Sequence, residues 1–234
     1  EVNYEIEYYR QNVEGDQYTR YASRTATGLA GSEVEAVRES YSGFRTPEAQ
    51  KIKIAGDGST VVKYYYDRGI YTVTFIQDED DRTKDVVTTG RYKAAVKIPS
   101  PVKTGYAHIG WDKEPGTTIP DGDVTYTAVW RQLSYVLTFD TKGGTQIQDQ
   151  TLVYGEKIKV PEDPKRPGYT FAGWKTEIPD TMPDRSMKIE AEWTLDRYAI
   201  TYDLDGGSLY NPRESYTYED NVIILGEPYK KGYT

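Results

Sequence analysis

Hydrophobic and polar residues alternate along the chain in short runs that are typical of β-strands. The clearest runs are YVLTFD from Tyr135, QTLVYG from Gln150, TFAGWKTE from Thr170 and MKIEAEW from Met187. The segment VPEDPKRPGY has three prolines in ten residues, so it can form neither a sheet ladder nor a long helix. KGG from Lys142 supplies turn residues that tolerate positive φ. The pattern therefore predicts a small unit of four short strands.

Landmarks of this unit recur every 63 or 64 residues. The strand-like runs begin at Tyr71, Tyr135 and Tyr198, Gly-Tyr pairs fall at Gly105, Gly168 and Gly232, and the tryptophans pair as Trp111 with Trp174 and Trp130 with Trp193. A fixed period of this length indicates a tandem array. We therefore divide the chain into a first module (1–69), a first repeat (70–132), a second repeat (133–197) and an incomplete third repeat (198–234). Short connections between these units predict an extended array with limited flexibility.

The incomplete third repeat contains two strand-like runs, YAITYDL from Tyr198 and NVIILG from Asn221. A single hairpin is marginally stable in water. We therefore expect this segment to pair with the preceding module or with a sheet edge of another molecule.

The tryptophans of the repeats allow two interpretations. A binding site for a ligand is one, and a packing role is the other. Every copy of a repeat needs a core, whereas not every copy needs a ligand, so we predict that Trp111, Trp130, Trp174 and Trp193 are structural core residues. Trp174 and Trp193 are expected to face each other from adjacent strands, and so are their counterparts in the first repeat.

Composition favours a mainly β protein, since the chain has 23 tyrosines and many β-branched residues. Its net charge of −8 and pI near 4.9 argue against a nucleic-acid partner. Cysteine is absent, which excludes disulfides and thiolate metal sites. No apolar run is long enough to span a membrane. The chain begins at Glu1 without Met or a signal segment, as expected of a mature or excised piece of a longer protein.

Sequence motifs resemble known families in two places. YVLTFDTKGG, VPEDPKRPGYTFAGW and IEAEW resemble the Listeria-Bacteroides repeat family, which includes the B repeat of internalin-type surface proteins. The resemblance covers Tyr71 to Trp193 and continues into the last segment, although IQDEDDRTKD replaces the first turn in the copy at Tyr71. The first module resembles the mucin-binding-protein-like units that often precede such repeats. These resemblances imply β-grasp-like modules on the surface or wall of a bacterial cell, usually a Gram-positive one, that act as spacers or in adhesion.

Catalytic, cofactor-binding and metal-binding residues are not assigned, and no enzyme activity is expected. His108 is the chain's only histidine, so a histidine metal cluster is excluded and a structural or exposed role is favoured. The run Asp78 to Asp81 could offer oxygen ligands to Ca²⁺, but it lacks the glycine and the late glutamate of the calcium loop, which favours a solvated hairpin tip. The alternative of an enzyme fragment would require a polar cleft between modules.

Two tyrosines of the first module are the candidate ligand-binding residues. Alternation in YEIEYY places Tyr4, Ile6 and Tyr8 on the inner face and Tyr9 on the outer face, and VVKYYYDR leaves Tyr65 outside. Exposed tyrosines can stack on a sugar ring or anchor a protein partner, although pairing of the tyrosines across strands is the favoured explanation.

Two functions follow from these patterns. One is a spacer and adhesion module that grips a protein or glycan on a host or neighbouring cell, with any membrane or wall anchor in parts outside this segment. The other is a carbohydrate- or mucin-binding module centred on residues 1–69. A contiguous, solvent-facing aromatic patch would favour the second.

Overall fold

The computed structural model describes residues 1–232 and is mainly β, with a single turn of 3-10 helix at Arg82–Lys84. Tyr233 and Thr234, which complete the last Gly-Tyr landmark, lie outside the described residues. The strands are β1 (Val2–Gln11), β2 (Tyr18–Gly28), β3 (Glu33–Glu35), β4 (Phe44–Arg45), β5 (Lys51–Lys53), β6 (Val61–Arg68), β7 (Ile70–Ile76), β8 (Val86–Arg91), β9 (Tyr106–Trp111), β10 (Val124–Gln132), β11 (Ser134–Asp140), β12 (Gln150–Val153), β13 (Tyr169–Trp174), β14 (Met187–Leu195), β15 (Arg197–Ala199), β16 (Ser208–Tyr210), β17 (Ser215–Thr217) and β18 (Glu227–Tyr229). The prediction of a mainly β protein is confirmed.

Three four-stranded sheets repeat one strand order, which is β2-β1-β6-β4, β8-β7-β10-β9 and β12-β11-β14-β13. In each sheet the two central strands run parallel, as for β1 with β6, β7 with β10, and β11 with β14. Parallel neighbours need a crossover connection, and here the irregular, proline-containing segments provide it in place of a long helix. The four strands predicted for the second repeat all form. Lys142 and Gly143 have positive φ in the predicted turn.

Each sheet has one buried face, and this face follows the alternation of the sequence. In the first sheet Tyr4, Ile6, Tyr8, Val62, Tyr64 and Tyr66 are buried, which confirms the inner face predicted for both strands. Phe75 and Val73 are buried in the second sheet, and Leu137 and Ile189 in the third. Each of the three cores is therefore small and lies on one side of its own sheet.

The chain divides into two compact units, Glu1–Arg131 and Gln132–Thr234. The first unit contains a junction between the first module and the first repeat. Its centre is the ring of Tyr92, which lies so close to Gly43 that a Cβ atom on this glycine would be 2.2 Å from Tyr92 Cδ1. The amide of Tyr92 donates to the carbonyl of Gly69 at 2.8 Å, and the amide of Gly69 donates to that of Gly43 at 2.8 Å. A chain of backbone hydrogen bonds therefore runs through the junction.

The second unit contains a similar junction between the second repeat and the incomplete third repeat. Tyr218 packs against Gly168, where an added Cβ atom would be 2.2 Å from Tyr218 Cβ. The hydroxyl of Tyr169 donates to Glu219, and the amide of Asp196 donates to the carbonyl of Gly168 at 2.9 Å. Tyrosine again packs on glycine at the junction.

The incomplete third repeat differs from the prediction. In the run YAITYDL only the first residues form a strand. The run NVIILG is irregular and largely exposed. Its four short strands pair with one another, β15 with β17 and β16 with β18. The segment contacts the second repeat through the side chains of Tyr218 and Glu219. In the complete sheets the first strand is central and has a neighbour on each side, whereas β15 has one neighbour within residues 1–232. A strand with fewer partners gains less burial, so the alternating run does not extend into a full strand.

Candidate functional site

The two candidate tyrosines lie side by side on the outer face of the first sheet. Tyr9 on β1 is the register partner of Tyr65 on the parallel strand β6. Because neighbours on both strands alternate between faces, the buried tyrosines Tyr8, Tyr64 and Tyr66 point the other way. Local alternation alone therefore places the candidate pair opposite the core.

Three rings form a continuous aromatic surface, which we call the tyrosine patch (Tyr9, Tyr18 and Tyr65). The rings of Tyr9 and Tyr65 are stacked, with centroids 5.1 Å apart and planes at 25°. The ring of Tyr18 on β2 meets Tyr65 edge-on at 5.1 Å and 78°. Tyr65 is 47% exposed, while Tyr9 and Tyr18 are half-buried. The cross-strand pairing expected as one explanation is therefore present, and the patch also faces solvent.

Charged groups surround the patch and fix the tyrosine hydroxyls. Tyr9 donates to Glu7 Oε2 at 2.8 Å, and Tyr18 donates to Asp67. The hydrogen bond from Tyr9, together with the nearby charges of Arg20 and Lys63, lowers the pKa of the Glu7 carboxyl. The same bond raises the pKa of the Tyr9 hydroxyl. With the hydroxyls held in this way, the exposed ring of Tyr65 offers an apolar face bordered by hydrogen-bonding groups, which suits a sugar ring or an aromatic side chain.

The outer face of the third sheet has different chemistry. Its paired central positions carry Asp140 opposite Glu190 and Thr138 opposite Lys188. Lysines connect the two carboxylates, since Lys188 Nζ is 2.7 Å from Asp140 and Lys142 Nζ is 2.7 Å from Glu190. A tyrosine patch at these positions is therefore a feature of the first sheet and not of the third.

The predicted core tryptophans of the second repeat are half-buried, and a third ring lies between them. Phe171 is 5.3 Å from Trp174 and 5.5 Å from Trp193, measured between ring centroids. A β-bulge between Phe171 and Gly173 brings Phe171 and Trp174 to one face of the sheet. The expectation that the two tryptophans face each other is corrected, because a phenylalanine separates them. Trp174 packs against the buried cluster, and the indole of Trp193 donates to the carbonyl of Thr141 at 2.9 Å.

The first repeat has the same arrangement, with His108 in the middle position. Its ring is 5.3 Å from both Trp111 and Trp130, which are half-buried. His108 Nε2 is buried and has no hydrogen-bond partner among residues 1–232. The only histidine therefore occupies a packing position that phenylalanine fills in the sister repeat. No local pattern predicts the two tryptophan rings on either side of it.

The acidic run at Asp78 is a compact turn that is only partly solvated, since Glu79 and Asp80 are exposed. Asp78 is buried, and its carboxylate receives a hydrogen bond from Lys103 Nζ at 2.8 Å. This hydrogen bond lowers the pKa of Asp78. Asp81 is paired with Lys84 at 3.2 Å. Within the described part of the chain no group of three or more acidic, histidine or cysteine residues is arranged to hold a metal ion.

A polar cleft, which sequence reasoning missed, lies at the junction in the first unit. Ten residues line it, four of them cationic and none acidic, and neither histidine nor cysteine is among them. Its cations come from positions far apart in sequence, including Arg10, Arg68 and Lys93, so no local motif reveals it. The arrangement can attract an anion but offers no carboxylate or imidazole as a general base.

Comparison with known proteins identifies the family of the repeats. The Listeria-Bacteroides repeat domain matches three times, at residues 71–128, 135–187 and 198–234. These matches correspond to the three repeats, while the tyrosine patch and the rest of the first module precede them. Among residues 1–232 no helix has the length and apolar character of a membrane span.

Three curated relatives share part of the chain. A putative Gly-rich membrane protein of Evansella cellulosilytica is 28% identical over 179 residues, which is 67% of this chain and 21% of the relative. A putative membrane protein of the same organism is 25% identical over 183 residues, 70% of this chain and 27% of the relative. Internalin H of Listeria monocytogenes is 32% identical over 128 residues, 50% of this chain and 22% of the relative.

The chain thus spans about a fifth to a quarter of the length of these relatives. The three matches to one repeat domain, which together cover more than half of its residues, carry the assignment: the chain belongs to the Listeria-Bacteroides repeat family.

Proposed function

We propose that this chain is part of a non-enzymatic bacterial surface protein, in which the repeats act as a spacer and the first module contacts a glycan or protein on a host or neighbouring cell. The observation that carries the proposal is the solvent-facing tyrosine patch on the first sheet, whereas the outer face of the second repeat carries charged side chains. A spacer alone has no need of such a patch.

The relatives support the cell-surface part of the proposal, since two are putative membrane proteins and the third is an internalin. An extracellular position fits a cysteine-free, acidic chain of small modules, and any anchor would lie in other parts of the protein. The strand order with a parallel centre supports β-grasp-like modules. Tandem repeats would act through reach and multiple contacts.

The second candidate function is a carbohydrate- or mucin-binding module centred on residues 1–69. The exposed ring of Tyr65 favours it, because a flat aromatic face bordered by Glu7, Lys63 and Asp67 suits a sugar that needs both stacking and hydrogen bonds. Mucins and glycans are therefore the first ligands to test.

Binding of the full chain to an array of immobilised mucins, glycans and matrix proteins tests both candidates, with Tyr9→Ala and Tyr65→Ala alongside. Tyr198→Ala is the matched control, since Tyr198 is 40% exposed and packs on another tyrosine at 5.3 Å but lies outside the first module. We expect saturable binding that the two patch variants reduce at least tenfold and the control leaves unchanged. Equal loss in all three variants, or no binding by the folded wild type, would overturn a receptor role for the patch.

A further inference from the structure

The polar cleft in the first unit has a volume of about 260 Å³, enough for a ligand group of monosaccharide size. It opens beside the junction between the first module and the first repeat. The whole chain carries 37 acidic residues against 29 basic ones, yet the cleft lining contains cations without a single carboxylate. Such a local reversal of charge attracts anions into the cleft.

Arg10 is the most constrained of these cations. Like Tyr8, it lies on the inner face of β1. A bulge after Tyr8 shifts the pairing with β2, so that Tyr21 has no register partner on β1. The guanidinium carbon lies 3.2 Å from the centroid of Tyr21 and 4.0 Å from that of Tyr41. Its Nε atom is buried and has no hydrogen-bond partner among residues 1–232. The rings therefore fix the plane of the guanidinium while its Nε atom lacks a hydrogen-bond partner.

Arg68 and Lys93 are two further cations that line the cleft. Arg68 donates only to neutral carbonyls, from Nε to Gln11 at 2.7 Å and from a terminal nitrogen to Tyr92 at 3.0 Å. Burial lowers the pKa of Arg68, and the charges of Arg10 and Arg91 contribute in the same direction. Lys93 is exposed at the rim and lies over the ring of Tyr92. An anion in the cleft would relieve this crowding of like charges.

The fourth cation behaves differently and provides a contrast. Arg20 is already paired, since its guanidinium lies 2.5 Å from Glu5 and 3.2 Å from Glu7. Arg10, Arg68 and Lys93 form no ion pair with any residue in the described range 1–232. The unpaired charge therefore comes from three side chains that converge from the first module and the first repeat.

We propose that this cleft binds the carboxylate of an acidic sugar. The planar fork of Arg10 matches a carboxylate in two parallel hydrogen bonds, which favours this anion over a single point charge. The aromatic rings of Tyr21 and Phe44 line the same space and add apolar surface beside the guanidinium for a sugar ring. Asn12 and Thr19 add polar groups that can bond sugar hydroxyls. The site is separate from the tyrosine patch and does not depend on the function proposed for it.

Titration of the full chain with glucuronate tests the proposal, with glucose as the neutral analogue and N-acetylglutamate as a carboxylate from the peptide class. We expect saturable binding of glucuronate by calorimetry, at least tenfold weaker binding of glucose, and weaker binding of N-acetylglutamate. Arg10→Met should reduce glucuronate affinity about 10- to 100-fold, as expected for loss of a charged hydrogen-bonded partner. Arg10→Lys should recover part of this loss, since lysine keeps the charge without the fork.

Two variants keep the result interpretable if Arg10→Met unfolds the first module. Lys93→Met changes an exposed rim residue and should reduce affinity about threefold, as expected for loss of one partly screened charge. Arg24→Met changes a cation of the same strand β2 that lies outside the cleft and is paired with Glu39 at 3.7 Å, and it should alter affinity less than threefold. Equal affinity for glucuronate and glucose, or no effect of Arg10→Met in a folded chain, overturns the proposal. Tighter binding of N-acetylglutamate than of glucuronate overturns the sugar assignment. Tyr65→Ala should leave glucuronate binding unchanged, which separates failure here from failure of the patch.

Discussion

At both of the junctions described above a tyrosine packs on a glycine, but the surroundings of the two contacts differ. In the first unit Tyr92 packs on Gly43, and in the second Tyr218 packs on Gly168. Both glycines have positive φ, 77° and 75°, and both stand directly before a strand that pairs with the end of the last strand of its sheet. The shared geometry indicates that glycine is required for two reasons. Its backbone has a positive φ, and the tyrosine leaves no room for a Cβ atom.

The surroundings of the two contacts differ in burial and charge. Tyr92 is half-buried and meets Phe44 edge-on at 6.0 Å, whereas Tyr218 is 65% exposed. The residue after the glycine pairs with Arg68 in the first junction and with Leu195 in the second. The same packing motif therefore joins neighbouring segments in both units, and the residues around it differ in burial and charge.

Alanine at the junction glycines should have the largest effect. Gly43→Ala and Gly168→Ala each force a strained φ and a steric overlap, and we expect each to cost about 3 kcal/mol of local stability. Native-state hydrogen exchange of the Gly69 and Asp196 amides, which bond to the two glycine carbonyls, measures this cost.

Glycines that share the backbone conformation but not the contact serve as controls. Gly15 and Gly206 have φ of 70° and 77° with no atom within 4 Å of an added Cβ, so alanine there should cost only about 1 kcal/mol. If the junction and control substitutions cost the same, the tyrosine contacts contribute nothing and the comparison fails.

Truncation of the tyrosines should separate the two junctions. Tyr92→Ala removes a half-buried ring, and we expect a loss of about 2 kcal/mol in the protection of nearby amides. Tyr218→Ala removes a mostly exposed ring and should cost less than about 1 kcal/mol. The same hydrogen-exchange measurement gives both values, and a larger cost for Tyr218→Ala would reverse our ranking of the two contacts.

Arg68→Met tests the difference in charge between the two junctions. Methionine keeps much of the side-chain volume but leaves the carbonyls of Gln11 and Tyr92 without their donor, so we expect a cost of about 1 kcal/mol by urea unfolding. Leu195→Met is the matched change at the paired position of the second junction and should be close to neutral. Equal costs would mean that the hydrogen bonds of Arg68 do not hold the first junction.

Acid should weaken the first junction by a smaller amount. Hydroxyl groups of Ser42 and Tyr71 donate to Asp121 at 2.6 and 2.7 Å, which lowers the pKa of this carboxyl. A lowered pKa stabilises the fold above the ordinary value of 3.8, and this stabilisation is lost as the pH falls below it. The unfolding midpoint should therefore fall less between pH 6 and pH 2.5 in Asp121→Asn than in wild type. Parallel pH profiles would exclude a contribution from this contact.

Prediction from sequence succeeded where the determinant is local. Alternation in YEIEYYR placed Tyr8 inside and Tyr9 outside, because strand side chains point to opposite faces in turn. It failed for NVIILG, whose apolar residues form no strand, since a strand also needs neighbouring strands. It also missed Phe171 between the tryptophans, because a bulge changes which side chains share a face.

The sequence by itself determined the mainly β character, the repeat of 63 to 64 residues and the outward position of Tyr9 and Tyr65. These properties depend on periodicity over a few residues or on spacing along the chain. Only the tertiary structure decided that Tyr18 joins the tyrosine patch and that Arg10, Arg68 and Lys93 converge without a carboxylate among them. Their convergence depends on strand register and on packing between the first module and the first repeat, which join residues up to 83 positions apart in the sequence.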